Sequence, residues 1–386
     1  MNFADELRAV AEALEAALKV RDLPAFYRVF RATSLPFLCS ELGDNTEALF
    51  LRCFDVVHRL GSISPAVALA VENHYYVTSA VATFPAAADS ALEDFRQRLM
   101  ARVAGERLLV ANTNSKVHGK KIGAIGTVAV REGTGFRISG EAAYASLATE
   151  ADILVLLTEL AGEGLALFVI PDMVGNPSLE IGDNLFPTAM IDSDTRRIRF
   201  NDLILKAEDF ATTAESGVAA LLLPFEMAWH QALIGALYLG SAARAIEEIR
   251  CFANETVGRD NRPLSELDGM IVDVGRLVAE YEISRATVLQ CAKQLSMVSD
   301  LPGHTTELQR ASAAASIAKY GSCRTAEAIV SAARRIVGAR SFATGSILER
   351  LSSEVIFGTL GPEVTAVIER RLGAQTMQSD RFYGLS

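Results

Sequence analysis

Near the start of the chain Leu7, Val10, Ala11, Leu14, Ala17 and Leu18 recur at three- and four-residue spacing, which predicts an amphipathic helix. A second apolar segment spans Ala48 to Leu60. A third, PAVALAVENHYYVTSAVATF, runs from Pro65 to Phe84 with proline placed for a first helical turn. It is apolar nearly all round, so it predicts a helix buried within a bundle. Asp89 or Ser90 is the expected cap of the segment ALEDFRQRLMARVA.

The pattern changes at Leu108. Short β-rich runs separated by Gly, Asn and Asp follow, with expected strands at Leu108–Thr113, Gly126–Arg131, Gly135–Ala143, Asp152–Thr158, Ala166–Pro171 and Arg197–Ile204. Gly133 with Gly135, and Gly162 with Gly164, are the expected hairpin turns. Long helical patterns then take over: Val218–Glu255, Pro263–Val298, Thr305–Gly338 and Glu363–Leu372. Several exceed the usual globular helix length, and each carries a broad apolar stripe suited to antiparallel packing. The expected fold is α+β: an all-α domain over residues 1–108, a compact antiparallel β domain over 109–213, and a C-terminal four-helix bundle over 214–386. No fixed-period repeat is visible.

Composition narrows the classes of function. The chain has 386 residues, half of them hydrophobic, enough for a large core. A net charge of −10 argues against a nucleic-acid partner, which needs concentrated positive charge. No uninterrupted apolar run reaches the roughly 18 residues that span a bilayer. The N-terminal stretch is acidic from its fifth residue and lacks the basic start of a signal peptide, so the expectation is a cytoplasmic protein without a membrane partner. Five scattered cysteines and five histidines show neither disulfide nor metal-ligand spacing.

The stretch from Ala333 to Gly373 carries the most information. An apolar helix runs into a turn at Gly338, a second turn follows at Gly345, and a charged segment leads to Phe357-Gly358-Thr359. A last helix is expected to start after Pro362 and end at Gly373. Here the chain resembles the acyl-CoA dehydrogenase family, whose long helix ends in a Gly-rich turn and whose next loop delivers a Glu-Gly-Thr motif. The order of helical, β and helical domains resembles that family along the whole chain. In the family the Glu removes the substrate α-proton and the Thr helps hold FAD. This chain keeps Gly358 and Thr359 but has Phe357 in place of the Glu.

The resemblance also suggests roles for other residues. Thr113-Asn114 closes the first strand where the family has Thr-Glu, with the Thr near the flavin; Thr and Asn are equally ordinary residues at a strand end. In ISGEAAYASLATEADILVLL, Gly140, Tyr144, Ser146, Ala151 and Asp152 match a flavin-contacting pattern. There the aromatic shields one flavin face and the hydroxyl bonds near N5, since a hydroxyl can both donate and accept. The bland alternative is an alternating strand with Tyr144 packed on the core. Met190 fits the family's next turn, whereas Ile191 stands where Arg is usual. Arg259 and Arg262 are equal candidates for the Arg that meets the FAD pyrophosphate across a dimer, a job suited to a bidentate guanidinium. Gly338 corresponds to a second FAD contact, with Arg340 nearby to supply charge; one Gly is also an ordinary helix C-cap.

Some family members carry the base on the helix that holds PFEMAWHQALIGALYLG. Glu226 and His230 lie four residues apart there and share a face, and His230 falls nearest that alternative base position. Either could move a proton once burial and neighbours adjust its pKa. Alternatively, Glu226 is a first-turn carboxylate favoured by the helix dipole and His230 a half-buried polar residue beside Trp229. The resemblance thus implies FAD, a homodimer or homotetramer, and an acyl thioester on CoA or on an acyl or peptidyl carrier protein. Three reactions stay open: α,β-dehydrogenation with a relocated base, non-oxidative elimination or cyclisation on a tethered acyl group, and reduced-flavin monooxygenation.

Overall fold

The N-terminal helices are α1 (Phe3–Val20), α2 (Leu23–Ala32), α3 (Leu38–Leu42), α4 (Thr46–Gly61), α5 (Pro65–Thr83) and α6 (Ala91–Gly105). The computed structural model describes residues 2–86, 90–113, 125–213, 217–259, 261–298, 305–361 and 363–378. Asp89, Asn114 and Pro362, named above, fall outside the described residues. Side-chain caps start the helices: Asn2 accepts from Asp5 N on α1, Ser64 from Val67 N on α5, and Ser90 from Glu93 N on α6. As its all-round apolar pattern predicts, α5 is buried from Pro65 to Ala82. It also buries five successive residues with polar groups, Glu72, Asn73, His74, Tyr75 and Tyr76.

The next segment forms β1 (Val110–Thr113), β2 (Thr127–Glu132), β3 (Gly135–Ala145), β4 (Ile153–Leu160), β5 (Gly164–Ile170), β6 (Leu179–Asn184), β7 (Arg196–Leu205) and β8 (Phe210–Thr213). They make one sheet in the order β6-β7-β3-β2-β4-β5-β8, with β1 on β4. The six expected strands are present, each shifted by a residue or two, and Gly133 makes the β2–β3 hairpin at φ 59°. β6 and β8 carry little apolar alternation and escaped the pattern. The sheet is mixed, which corrects the antiparallel expectation: β1 pairs with β4 in parallel, as does β2 at Val128↔Glu159 and Ala129↔Leu160. The physical reason is connectivity. The β2–β3 hairpin lies between β1 and β4 in sequence, so β4 returns along the same direction as β1, the crossover that parallel pairing requires.

The C-terminal domain contains α7 (Val218–Glu255), α8 (Asp268–Ser296), α9 (Thr305–Val337), α10 (Ile347–Glu354), α11 (Phe357–Leu360) and α12 (Thr365–Gln378). The long α7, α8 and α9 pack on one another, and α12 lies on α9. By length and composition α7 could cross a membrane, with a hydropathy of 1.3 in its most apolar window, yet 67% of that window is buried inside the protein. It is the core helix, packed on α4, α5, α8 and α9. Glycine makes the closest crossing possible: a Cβ on Gly240 would lie 2.1 Å from His58 O, and one on Gly61 2.2 Å from Leu237 O. Ser241 Oγ donates to Gly61 O across the same contact at 3.0 Å.

Two expectations change at the C-terminal stretch. Phe357-Gly358-Thr359 lies in the one-turn helix α11 and not in a loop, because Gly361 N closes it onto Phe357 O. The last helix continues past Gly373 to Gln378.

Candidate functional site

The buried polar residues of α5 converge with α7 and the end of β1. Glu72 and Tyr76, one turn apart, both face His230. His230 Nδ1 donates to the Glu72 carboxylate at 3.0 and 3.1 Å, and the Tyr76 and His230 rings lie 4.8 Å apart. Glu72 is fully buried and His230 8% exposed. Burial raises the Glu72 carboxyl above its ordinary value, and the His230 imidazole opposes that rise. With Nδ1 held by Glu72, Nε2 of His230 has no hydrogen-bond partner among the described residues and can accept a proton.

Tyr76 OH donates to Asn112 Oδ1 at 2.9 Å, and Asn112 N donates to Asn73 Oδ1 at 2.9 Å. Val110 N donates to His74 Nδ1 at 3.0 Å, so the other ring nitrogen carries the proton and donates to Pro36 O at 2.7 Å. Burial holds His74 down at about 4, a neutral structural histidine that pins β1 to α5. Asn112 Nδ2 is buried with no hydrogen-bond partner. Such an orphan amide is uncommon in a native interior.

Glu226 lies two turns into α7, not in its first turn, because the helix begins at Val218. The dipole explanation for this carboxylate therefore falls away. Glu226 is 1% exposed, its Oε1 has no partner, and burial raises its pKa to about 8. At neutral pH it is mostly a protonated acid.

A half-exposed aromatic row lies nearby in the fold. Tyr144, on β3, adopts φ 63° and is 49% exposed, so it is not packed on the core as the alternating-strand alternative required. It stacks on Phe186 at 6.3 Å, and Phe186 meets the ring of Phe357 edge-on at 4.7 Å. Thr113 Oγ1 donates to Ala143 O at 2.6 Å, which joins β1 to the strand that carries Tyr144. Ser146 is buried, with its hydroxyl 2.9 Å from that of Thr195.

The phosphate-binding candidates lie elsewhere. Gly338, at φ 69°, borders a cleft of about 710 Å³ lined also by Ser331, Arg334, Arg335, Phe342 and Ser352. Arg334 bonds Ser352 and sits over Phe342 at 4.1 Å. Ile356 lines the cleft too, and its carbonyl accepts from Thr359 Oγ1 at 2.9 Å. Arg259 and Arg262 are exposed in the turn between α7 and α8, where Arg262 faces Glu266, and neither lines this cleft within one chain. The fold therefore links His230 through Tyr76 and Asn112 to β1, and Thr113 of β1 to the strand that carries Tyr144, whereas Gly338 lines the cleft and Thr359 bonds the carbonyl of its lining residue Ile356. Sequence reasoning missed Glu72, Tyr76 and Asn112. The signal was present, since ENHYY interrupts a helix read as buried on every side.

Glu354, 6% exposed and raised by burial to about 7, accepts from Ala66 N at 3.2 Å, where it caps α5. Lys319, 1% exposed, donates to Gly361 O at 3.2 Å and Glu363 O at 2.6 Å and fixes the entry to α12.

A helical domain, a central sheet and a helical bundle in this order, with a polar cluster where they meet, define the acyl-CoA dehydrogenase fold. Residues 224–361 match the family profile described as acyl-CoA dehydrogenase, C-terminal domain. The chain thus has the acyl-CoA dehydrogenase-like fold along its length, and its residues 224–361 resemble that family's C-terminal domain in sequence. It superposes on FMN-bound TdsC from Paenibacillus sp. A11-2 with a TM-score of 0.83 at 16% identity, covering 98% of each chain. Butyryl-CoA dehydrogenase from Megasphaera elsdenii gives 0.78 at 16% identity over 97% of each chain. Methanesulfinate monooxygenase MsuC from Pseudomonas fluorescens gives 0.79 at 19% identity over 98% of each. At these identities the likeness is one of fold. No curated protein matches the chain.

Proposed function

We propose that the protein is a flavin-dependent oxidoreductase that dehydrogenates an acyl thioester, carried on CoA or on an acyl or peptidyl carrier protein, with His230 as the relocated base. The observation that carries this reading is the Glu72–His230 pair. Phe357 cannot take a proton, and a general base is worth roughly 10²–10⁴-fold. His230 supplies one with its tautomer set by Glu72. Glu226, mostly protonated at neutral pH, is the neighbouring acid.

The residues fit a flavin. Tyr144 offers an aromatic face, Thr113 and Ser146 offer hydroxyls, and Asn112 Nδ2 offers an unclaimed donor. The cleft at Gly338, with Arg334 and Arg335, has the size and charge for the diphosphate end of a dinucleotide, which favours FAD over FMN. Arg259 and Arg262, which do not line that cleft in one chain, suit a site shared between subunits of a homodimer or homotetramer. A bound flavin supplies two-electron chemistry, taking a hydride when oxidised or reducing dioxygen when reduced. The chain's own residues position the substrate, hold the α-proton acceptor and exclude water. We place the protein in the cytoplasm.

The test is to purify the protein, identify the released flavin, and mix it anaerobically with acyl thioesters. Bleaching of the flavin absorbance is expected, slowed about 10²–10⁴-fold in His230→Asn with flavin still bound. Bleaching at the parent rate in that variant removes His230 as base, and absence of bleaching with every thioester removes dehydrogenation.

One observation favours a second reading. The Tyr144–Phe186–Phe357 row suits a flat apolar substrate and needs no α-proton base. It accords with the likeness to TdsC, described as a dibenzothiophene monooxygenase and also solved with indole. Oxygen uptake with reduced flavin and an aromatic heterocycle, without thioester bleaching, selects this reading.

A further inference from the structure

Two buried hydroxyls form a relay behind that of Ser146. Ser146 Oγ lies 2.9 Å from Thr195 Oγ1, Thr195 Oγ1 lies 2.7 Å from Ser193 Oγ, and Ser193 Oγ lies 2.7 Å from Met190 O. Ser146 is 5% exposed, Thr195 2% and Ser193 0%. Each hydroxyl has one proton to donate, and a carbonyl has none. The direction of the relay follows. At 2.7 Å the Ser193–Met190 contact needs a proton, which only Ser193 can give. Thr195 must then donate to Ser193, and Ser146 must donate to Thr195. The Ser146 proton is thereby committed to Thr195, and Ser146 Oγ offers any further partner lone pairs alone. Thr113 is in the same state, since its proton goes to Ala143 O at 2.6 Å.

We infer that Thr195 and Ser193 are positioning residues that turn Ser146 into an obligate acceptor, so that the site selects reduced over oxidised flavin. The inference rests on the flavin reading above. Oxidised flavin presents N5 as an acceptor, which cannot pair with an acceptor hydroxyl. Reduced flavin presents N5–H, which can. The same bias serves dehydrogenation by raising the flavin potential, and serves monooxygenation by retaining reduced flavin delivered to the site.

The experiment measures the affinities of the full chain for oxidised and photoreduced FAD under anaerobic conditions, together with the midpoint potential of the bound flavin. Thr195→Val removes the acceptor for Ser146 at constant shape. Ser193→Ala removes the acceptor for Thr195, which can then donate to Ser146. Either change should lower the reduced-to-oxidised affinity ratio roughly tenfold, the scale of one hydrogen bond, which is a fall of about 30 mV for a two-electron couple. Thr195→Ser should keep the parent ratio. Ser146→Ala gives an independent reading should the relay variants fold poorly: loss of affinity for reduced FAD alone is expected. Loss confined to oxidised FAD overturns the inference, as does an unchanged ratio in both relay variants with FAD bound. A protein that binds FAD in neither redox state overturns the flavin reading itself.

Discussion

Glu226 gives the sharpest stability test. It is a buried carboxyl with an unpartnered oxygen, and its pKa rises from an ordinary 4.5 to about 8 through burial alone. The folded state therefore holds this proton across a pH range in which the unfolded chain has released it. The stability tied to the neutral form is complete below about 4.5, declines as pH rises from there to about 8, and is flat above. At about 1.4 kcal/mol per pH unit, the parent should lose roughly 3 to 4 kcal/mol through this group between pH 5 and pH 8. Glu226→Gln keeps the shape and removes the titration. Its amide brings buried donors without partners, which costs roughly 2 kcal/mol at every pH. The variant should thus be roughly 1 kcal/mol less stable than the parent at pH 5 and roughly 2 kcal/mol more stable at pH 8. Urea unfolding at both pH values, with unchanged m-values, measures the difference. Glu354, raised to about 7, contributes to the pH slope of both proteins and cancels. A stability difference that stays the same at the two pH values would refute a neutral buried Glu226.

Three further outcomes are expected. Gly240→Ala should cost at least about 3 kcal/mol, because its Cβ meets His58 O at 2.1 Å and Ser62 N at 2.9 Å, both of them backbone; a parental melting temperature would contradict the close crossing of α4 and α7. Lys319→Met should cost roughly 1–3 kcal/mol by leaving the carbonyls of Gly361 and Glu363 without their donor, and hydrogen exchange should quicken in α12 while α7 stays protected. Phe357→Glu restores a carboxylate at the family's base position, so thioester-driven flavin bleaching should be gained or quickened; no change would show that the site differs from the dehydrogenase arrangement at more than this residue.

The sequence by itself determined the succession of helical, β and helical segments, the longer helices and six of the eight strands, because each follows from a local period of apolar positions, whereas the shorter helices α2, α3, α10 and α11 escaped it. Val218–Glu255 was legible to the residue, and α5 was legible as buried since no face of it is polar enough for water. The substitution at Phe357 was visible as a departure from a motif. Only the tertiary structure decided which polar residues meet. Glu72 and His230 are 158 positions apart in the chain, and no period links them. The parallel pairing of β1 with β4 depends on how the intervening hairpin is threaded, and the proton direction at Ser146 depends on a carbonyl at Met190 three contacts away. Periodicity records whether a side chain faces the core. It does not record which partner waits there, because that depends on distances set by packing between elements remote in sequence.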